Sequence, residues 1–148
     1  MLSLIYFKGY NMAKNNYGDL IVKIRCNKPH DAIAIVKSMP ISELSKVGND
    51  GNTALIIAAF KKQEDVCIAI INKLVAENQE VAFEFLAIKN NEGNTAFIVA
   101  AGSGLMKVCE KFISLQNYVS IFLTNNKGQS AYTLAIENEQ KNIKEYLK

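Results

Sequence analysis

One nine-residue pattern occurs three times in this chain of 148 residues, and it limits the folds that the chain can adopt. The copies are residues 51–59 (GNTALIIAA), residues 93–101 (GNTAFIVAA) and, more weakly, residues 128–136 (GQSAYTLAI). A pattern that returns at intervals of a few tens of residues is typical of proteins built from stacked, similar units. We therefore expect a repeat architecture.

Each copy of the pattern predicts a turn followed by the start of a helix. The leading glycine can take the positive φ that a tight turn requires. Thr53, Thr95 and Ser130 are suited to the N-cap position, where a side-chain oxygen accepts from the first free N–H groups of a helix. The Ala-rich apolar run that follows allows a neighbouring helix to approach closely, so each copy predicts a short, tightly packed helix.

Composition and charge indicate one globular domain and argue against several other classes of protein. The sequence is 49% hydrophobic and 21% charged, which is ordinary for a folded domain of this length. Its net charge of +3 comes from scattered lysines, whereas nucleic-acid binding usually requires a clustered basic face. No apolar run approaches ~18 residues, so no membrane segment is expected. Residues 1–7 are apolar, but they lack the flanks of a signal peptide.

The cysteines and the single histidine suggest no reactive centre. Cys26, Cys67 and Cys109 are odd in number and widely spaced, which fits a reducing compartment, and we expect a cytoplasmic protein. Cys67 and Cys109 each follow a repeat glycine by 16 residues, within an apolar helix pattern. Equivalent positions in a repeat predict equivalent surroundings, so both thiols are expected to be buried. His30 is predicted to be an ordinary surface or capping residue.

Apolar periodicity predicts two helices in each of four units, with a weaker match in the first unit. The predicted helices cover about 20–26, 30–38, 53–60, 64–76, 95–101, 105–115, 130–137 and 140–147. The predicted divisions are an N-terminal extension (1–14) and one domain (15–148) with units of about 15–48, 49–90, 91–125 and 126–148. Gly51 and Gly93 are 42 residues apart, and Gly93 and Gly128 are 35 apart. An added helical turn at about 81–87 and 118–123 would account for the extra length.

The repeated motif, followed by a turn and by a second helix of pattern VCxx[IF]I, resembles the ankyrin repeat. That family joins a β-turn to two antiparallel helices in about 33 residues. The resemblance implies an all-α, ankyrin-like solenoid of stacked helix-turn-helix repeats, here with reduced or helical connectors. The family's Pro-Leu-His is replaced by Ala-Leu-Ile at residues 54–56, which removes a histidine hydrogen bond between neighbouring turns. The β-hairpin fingers of the family are expected to be reduced or absent.

The resemblance implies a non-catalytic module that binds a partner protein on its concave face. Phe60 is the favoured anchor, because an aromatic side chain in a groove is a typical hot spot. The positions that the resemblance assigns to partner binding are Asn49, Asp50, Asn52, Phe60 and Lys61 in the second unit, Asn91, Glu92, Asn94, Gly102 and Ser103 in the third, and Asn126, Lys127, Gln129, Glu137 and Asn138 in the fourth. Packing of Phe60 on the adjacent turn, and turn chemistry for the asparagines, are the alternative interpretations.

Other functions are considered beside this one. No phosphate-binding glycine loop and no metalloprotease or serine-hydrolase motif is present, so we expect neither an enzyme nor a cofactor or metal. A nucleic-acid-associated protein and a purely structural scaffold are the alternatives. The chain is also similar to small ankyrin-like proteins that intracellular bacteria deliver into host cells, which would place it in a host cytoplasm. We expect a monomer, although the apolar residues 2–7 are candidates to pack on the first unit or to mediate dimerisation.

Overall fold

A computed structural model describes residues 16–115 and 121–148 of the chain. Within these residues the regular elements are helices, so the predicted all-α class is confirmed. They are α1 (Tyr17–Arg25), α2 (Pro29–Ser38), α3 (Ile41–Leu44), α4 (Ala54–Phe60), α5 (Glu64–Glu77), α6 (Gln79–Leu86), α7 (Ala96–Ser103), α8 (Met106–Ser114), α9 (Ala131–Glu137) and α10 (Lys141–Tyr146). The predicted extension 1–14 and residues 118–120, half of the predicted connector 118–123, lie outside the described residues.

Eight of these helices form four hairpins that stack in chain order. The hairpins are α1–α2, α4–α5, α7–α8 and α9–α10, and we number them one to four. Helices α1, α4, α7 and α9 pack on one another in sequence and form an inner layer, while α2, α5, α8 and α10 do the same in an outer layer. Helices α3 and α6 lie in the connections between hairpins. The molecule is therefore a two-layer stack in which each hairpin packs on its neighbours.

The predicted helix starts are confirmed. The side-chain oxygens of Thr53, Thr95 and Ser130 accept hydrogen bonds from the N–H groups three residues later, at 3.2–3.3 Å. The turns before these caps contain the repeat glycines at φ +74°, +79° and +75°. Two of these turns contain one isolated β-bridge each, Val47–Thr53 and Thr124–Ser130. No β-hairpin longer than a single bridge occurs in residues 16–115 and 121–148.

All four hairpins share one turn between their two helices. One residue of each turn has a left-handed backbone, and the next residue donates its N–H to the carbonyl five positions earlier, at 2.8–3.0 Å. The left-handed residues are Asn27, Lys62, Gly104 and Glu139, with φ between +54° and +80°. The same geometry in hairpin one, where the repeat motif is absent, shows that residues 17–38 form an equivalent unit.

The two central inner helices, α4 and α7, are almost entirely buried because another inner helix packs on each side of them. In α4 the six residues from Ala54 to Ala59 are each at most 6% exposed. In α7 burial continues to Gly102, where a Cβ atom would lie 2.7 Å from the side chain of Leu134 in α9. Helix α7 runs on to Ser103, so the prediction that residues 102–104 form the turn is wrong in its boundary. Glycine at position 102 allows α7 and α9 to approach this closely.

The connectors and the first unit differ in detail from the expectation. The helical turn predicted at about 81–87 is confirmed as the two-turn helix α6, which Asn78 caps. Helix α3 was not predicted, since its four residues are too short to show a period. For α2 the sequence predicts a buried stripe of Ile33, Ala34, Ile35 and Val36. Ile35 and Val36 are buried, together with Ala32, whereas Ile33 is half-buried and Ala34 is exposed.

The expectations for the thiols and the histidine are confirmed. Cys67 and Cys109 are buried, and burial raises the pKa of both thiols, to about 12 for Cys109. Cys26 is exposed at the end of α1. His30 is an exposed residue in the first turn of α2.

Candidate functional site

The candidate site is the inner face, which we define as the exposed surface of helices α1, α4, α7 and α9 together with the turns that precede α4, α7 and α9. These turns are residues 48–53, 90–95 and 125–130, here called turns one, two and three. All of the residues that the sequence assigned to partner binding lie in these turns or helices or within one residue of them. Their hydrogen bonds decide which of them are free to contact a partner.

In turns two and three, one asparagine side chain holds the loop. The Oδ1 atom of Asn90 accepts from the N–H groups of Glu92 and Asn94 at 3.0 and 2.9 Å. The Oδ1 atom of Asn125 accepts in the same way from Lys127 and Gln129, at 3.0 Å each. An amide oxygen that binds the backbone of its own loop is the usual reason for asparagine in a turn.

Turn one is held differently, because Gly48 replaces the asparagine. The Asp50 carboxylate accepts from the Asn52 N–H at 3.1 Å, and this bond holds the pKa of Asp50 below its ordinary value. The Tyr17 hydroxyl of α1 donates to the Asn52 carbonyl at 3.0 Å. A Cβ atom on Gly48 would lie 3.0 Å from the Asp50 carboxylate and 3.5 Å from the Tyr17 hydroxyl. Glycine leaves room for both groups.

Backbone hydrogen bonds connect each turn to the next at the tips. The N–H of Asn91 donates to the Asp50 carbonyl, and the N–H of Asn126 donates to the Glu92 carbonyl, both at 3.0 Å. The side-chain amides of the same two asparagines reach the previous turn as well. Asn91 donates to the Asn49 carbonyl at 3.2 Å, and Asn126 donates to the Asn91 carbonyl at 3.0 Å.

A second row of side-chain hydrogen bonds runs beneath the tips. Asn90 donates to Asn52 Oδ1 at 2.9 Å, and Asn125 donates to Asn94 Oδ1 at 3.0 Å. We call Asn90, Asn91, Asn125 and Asn126 the asparagine ladder. The ladder joins the turns of hairpins two, three and four.

The ladder changes the interpretation of several predicted contact residues. Asn94 is only 8% exposed and its amide groups bind Asn125 and Glu92, so its assignment as a surface contact is corrected to a structural role. Gly102 is buried under α9 and is corrected in the same way. Asn91 and Asn126 are exposed, but their side-chain amides donate hydrogen bonds to the preceding turn. Turn chemistry, the alternative considered for the asparagines, explains these positions.

Polar residues at the far end of the inner face also bind one another. The Gln129 amide donates to the Glu137 carboxylate, and the Asn138 amide donates to the Gly102 carbonyl at 2.9 Å. Ser103, which ends α7, is only half-buried, and Lys127 is exposed at the tip of turn three. In hairpins three and four, therefore, the side chains of Gln129, Glu137 and Asn138 already take part in hydrogen bonds within the chain.

The N-terminal half of the inner face is more apolar. Phe60 ends α4 and is 48% exposed, whereas the six residues before it are buried; Lys61 follows it and is exposed. Nearly half of the surface of Phe60 is therefore accessible to a partner, while the covered part is consistent with the alternative that the ring packs on its neighbours. Asn49 and Asp50 are exposed at the tip of turn one.

A groove lies between α1 and α4, and we call it the α1–α4 groove. Its lining consists of Tyr17, Gly18, Ile21, Val22, Arg25, Gly48, Asn49, Asp50 and Ile57. Val22 is 54% exposed. The sequence did not identify Val22 or Arg25, since hairpin one lacks the repeat motif and no register could be transferred to it. The one available signal was that Val22 falls outside the stripe of Leu20, Ile21 and Ile24.

Two further observations concern the described residues. Among them, no group of three or more His, Cys, Asp or Glu side chains is placed to hold a metal ion. Across residues 16–115 and 121–148, no helix is both long and apolar enough to cross a bilayer.

Comparison with known proteins gives a structural neighbour. No protein-family model matches the sequence, and no curated protein does. A chain of the crystal structure of the yeast ribosomal protein Rps3 in complex with its chaperone Yar1 is similar in fold. The TM-score is 0.74 at 22% sequence identity, over 88% of this chain and 89% of that chain. At this identity the likeness concerns the fold.

Proposed function

We propose that this chain is a non-catalytic, ankyrin-type recognition module that binds a partner protein through its inner face. The observation that carries the proposal is the exposure of Phe60. Phe60 is 48% exposed at the end of a helix whose other residues are buried, and it follows Ile57, which lines the α1–α4 groove, by three residues. Aromatic side chains with free surface are strongly enriched among the hot spots of protein interfaces.

The stack of hairpins supports the ankyrin-type assignment. Helical hairpins that pack on their neighbours in two layers, with turns projecting from one end of the inner layer, have the arrangement that the repeat motif implies. The structural neighbour adds support, because the crystal structure that contains it is a complex of two proteins. A fold shared with one member of a protein–protein complex is suited to binding a protein.

The asparagine ladder supports recognition by a rigid surface. Backbone bonds of 3.0 Å and the side-chain rows fix the turns relative to one another before any partner arrives. A preorganised surface loses less conformational entropy on binding than a mobile one. The ladder therefore contributes to affinity although most of its residues need not touch the partner.

The non-catalytic character is a proposal that rests on the available groups. The buried thiols of Cys67 and Cys109 have raised pKa values and do not supply a thiolate nucleophile at neutral pH. His30 lies on the first outer helix, whereas Cys109 lies on the third. A role as a bacterial effector, and a cytoplasmic location in either cell, remain predictions from the resemblance.

Affinity capture tests the proposed function. The full chain, Phe60→Ala and the matched control Phe122→Ala would be immobilised and exposed to cell lysate at low and high salt. Phe122 is 76% exposed in the connection before turn three, so its loss removes a similar ring from another part of the surface. We expect the wild type and Phe122→Ala to retain the same protein at both salt concentrations, and Phe60→Ala to lose it.

Three other outcomes would contradict the proposal. Recovery of nucleic acid at low salt only would favour the nucleic-acid alternative, since phosphate contacts weaken steeply as salt is added. Equal capture by all three proteins would move the binding site away from the inner face. A chain that captures no macromolecule would instead behave as the structural scaffold of the second alternative.

A further inference from the structure

The outer layer of the stack changes character between its two halves. At the sixth and seventh positions after the left-handed residue of the hairpin turn, hairpins three and four have Glu110–Lys111 and Glu145–Tyr146. The same two positions in hairpins one and two have Ile33–Ala34 and Ile68–Ala69. A helix face in water is normally charged or polar, as α8 is at these positions. The apolar pairs therefore set this face of α2 and α5 apart from the solvated face of α8.

The apolar pairs border a groove between α2 and α5, which we call the α2–α5 groove. It has a volume of about 500 Å³, and its lining includes Ile33, Lys37, Asp65, Ile68, Ala69 and Lys73. Ile33, Ile68 and Ala69 are half-buried and Ala34 is exposed, so each of them presents apolar surface to the outside. The α2–α5 groove shares no lining residue with the α1–α4 groove of the inner face.

Hydrogen bonds show that α2 and α5 run in the same direction along this groove. At the start of both helices, the Gln63 amide donates to Oδ1 of Asn27 at 3.2 Å. Toward their ends, Lys73 Nζ donates to the Lys37 carbonyl at 3.0 Å. The groove thus has the Asp65 carboxylate at its start and the ammonium groups of Lys37 and Lys73 at its end.

Asp65 and Lys73 are available to pair with another molecule. Asp65 is exposed and Lys73 is half-buried, and neither takes part in an ion pair within residues 16–115 and 121–148. Their Cα atoms are separated by eight helical residues, or about 12 Å along the axis of α5. A complementary surface must therefore place a cation and an anion at the same separation and in the opposite order.

A second copy of this chain provides that surface. Ala69 lies four residues from Asp65 and four from Lys73, so a two-fold axis at Ala69 brings Asp65 of each copy opposite Lys73 of the other. In this arrangement the two α5 helices are antiparallel. A parallel arrangement would place Asp65 against Asp65, so charge selects the antiparallel one.

Small side chains at the axis allow the two copies to approach closely. Ala34 has the position in α2 that Ala69 has in α5, and both would lie near the two-fold axis. The equivalent residue of α8 is Lys111, which would face its own copy across the axis. Like charges at this point disfavour a contact between the α8 helices. The contact is thereby confined to hairpins one and two.

We propose that two copies of this chain associate through their α2–α5 grooves, as an antiparallel two-fold dimer with paired Asp65 and Lys73 side chains. This dimer departs from the monomer that the sequence predicts. Two helices per copy make a small interface, so association is weak and depends on concentration. The inner faces stay uncovered, and the dimer would present two of them to a partner. That consequence rests on the proposed function, whereas the association itself does not.

Analytical ultracentrifugation of the full chain, from micromolar to millimolar concentration, tests the association without any partner. We expect the average mass of the wild type to rise toward twice the monomer mass. Ile68→Glu/Ala69→Lys gives α5 the pair that α8 carries at the same positions, and it should remain a monomer throughout. Val81→Glu is the matched control, since it adds a charge at a residue that is 42% exposed outside the groove, and it should associate as the wild type does. Thermal unfolding verifies that each variant is folded.

Charge reversal tests the register. Asp65→Lys alone and Lys73→Glu alone each oppose like charges across the axis, so each should raise the dimer Kd by at least about tenfold. An equimolar mixture of the two variants should form a heterodimer close to wild-type strength. In that heterodimer the two substituted side chains face each other, and the native Lys73 of one chain faces the native Asp65 of the other.

Three results would overturn the proposal. They are a wild-type chain that stays monomeric at millimolar concentration, self-association that persists in Ile68→Glu/Ala69→Lys, and a mixture of the charge-reversal variants that associates no better than either variant alone. A loss of stability in one variant cannot imitate the recovery in the mixture, because each chain keeps its own substitution. Capture of a partner through Phe60 could succeed or fail independently of these results.

Discussion

The side-chain amide of Asn125 lies 3.0 Å from Oδ1 of Asn94, an acceptor that precedes it by 31 residues in the chain. The same amide group donates to Gln129 Oε1 at 2.9 Å, while Oδ1 of Asn125 accepts two N–H groups of its own turn. A single side chain therefore shapes turn three and ties hairpin four to hairpin three. Asn90 performs the same two tasks one repeat earlier.

Asn125→Ala should destabilise the fold by about 2 kcal/mol, because it removes the acceptor of two N–H groups and both side-chain bonds of the amide. Asn126→Ala is the matched control. Asn126 is exposed and its side chain makes one hydrogen bond to the neighbouring turn, so we expect about 0.5 kcal/mol. Urea denaturation measures both values. Equal decreases in the free energy of unfolding would contradict the larger structural role assigned to Asn125.

Gly93→Ala and Gly128→Ala separate backbone strain from steric contact. Both glycines have left-handed backbones, at φ +79° and +75°. A Cβ atom at Gly93 would clash with Asn126 of the next turn, whereas a Cβ atom at Gly128 would meet nothing within 4 Å. We expect about 1 kcal/mol of destabilisation for Gly128→Ala and clearly more for Gly93→Ala. The free energies of unfolding in urea test the difference, and equal values would contradict the contact between the turns.

Lys62→Gly and Glu139→Gly should each stabilise the protein by roughly 0.5–1 kcal/mol. Both residues have a positive φ, +56° and +58°, at the position that Gly104 occupies in hairpin three. Glycine takes this conformation without the strain that a Cβ atom causes. Lys61→Gly is the control, since Lys61 has φ −80° and gains no relief, so it should be neutral or destabilising. Thermal unfolding measures the difference: Tm should rise for Lys62→Gly and Glu139→Gly and should stay the same or fall for Lys61→Gly.

The three thiols should differ in reactivity. At pH 8 we expect one fast-reacting thiol per native chain with a thiol-specific reagent, and Cys26→Ser should remove it. Cys67 and Cys109 are buried, and their raised pKa values keep them protonated at this pH, so they should react only after unfolding in urea. Three equally fast thiols in the native chain would contradict the packing of the second helices of hairpins two and three.

Local patterns in the sequence predicted the elements of the stack well. Capping residues mark the starts of α4, α7 and α9, and apolar periodicity marks the eight hairpin helices within a few positions, because both are properties of neighbouring residues. Thr95 is a clear example, since its cap, its glycine and its Ala-rich run are contiguous. Equivalent positions of the repeat then predicted the burial of Cys67 and Cys109 correctly.

The sequence predicted less well which residues of the inner face are free to contact a partner, because this depends on contacts between residues that are distant in the chain. The asparagine side chains bind partners 31–42 residues away, and sequence spacing alone does not distinguish such a tie from an exposed contact. For that reason Asn94 was assigned to partner binding although it is buried. Val22 was missed for a related reason. It lines a groove that exists only because α1 packs against α4, and the sequence does not show how these two helices pack.

The most direct test of protein recognition by the inner face is the affinity of the captured partner for three purified proteins. Titration calorimetry would compare the wild type, Phe60→Ala and Phe122→Ala. We expect Phe60→Ala to raise Kd at least tenfold, or about 1.4 kcal/mol, and Phe122→Ala to change it less than twofold. An unchanged Kd for Phe60→Ala, or equal losses for both variants, would contradict recognition through the inner face.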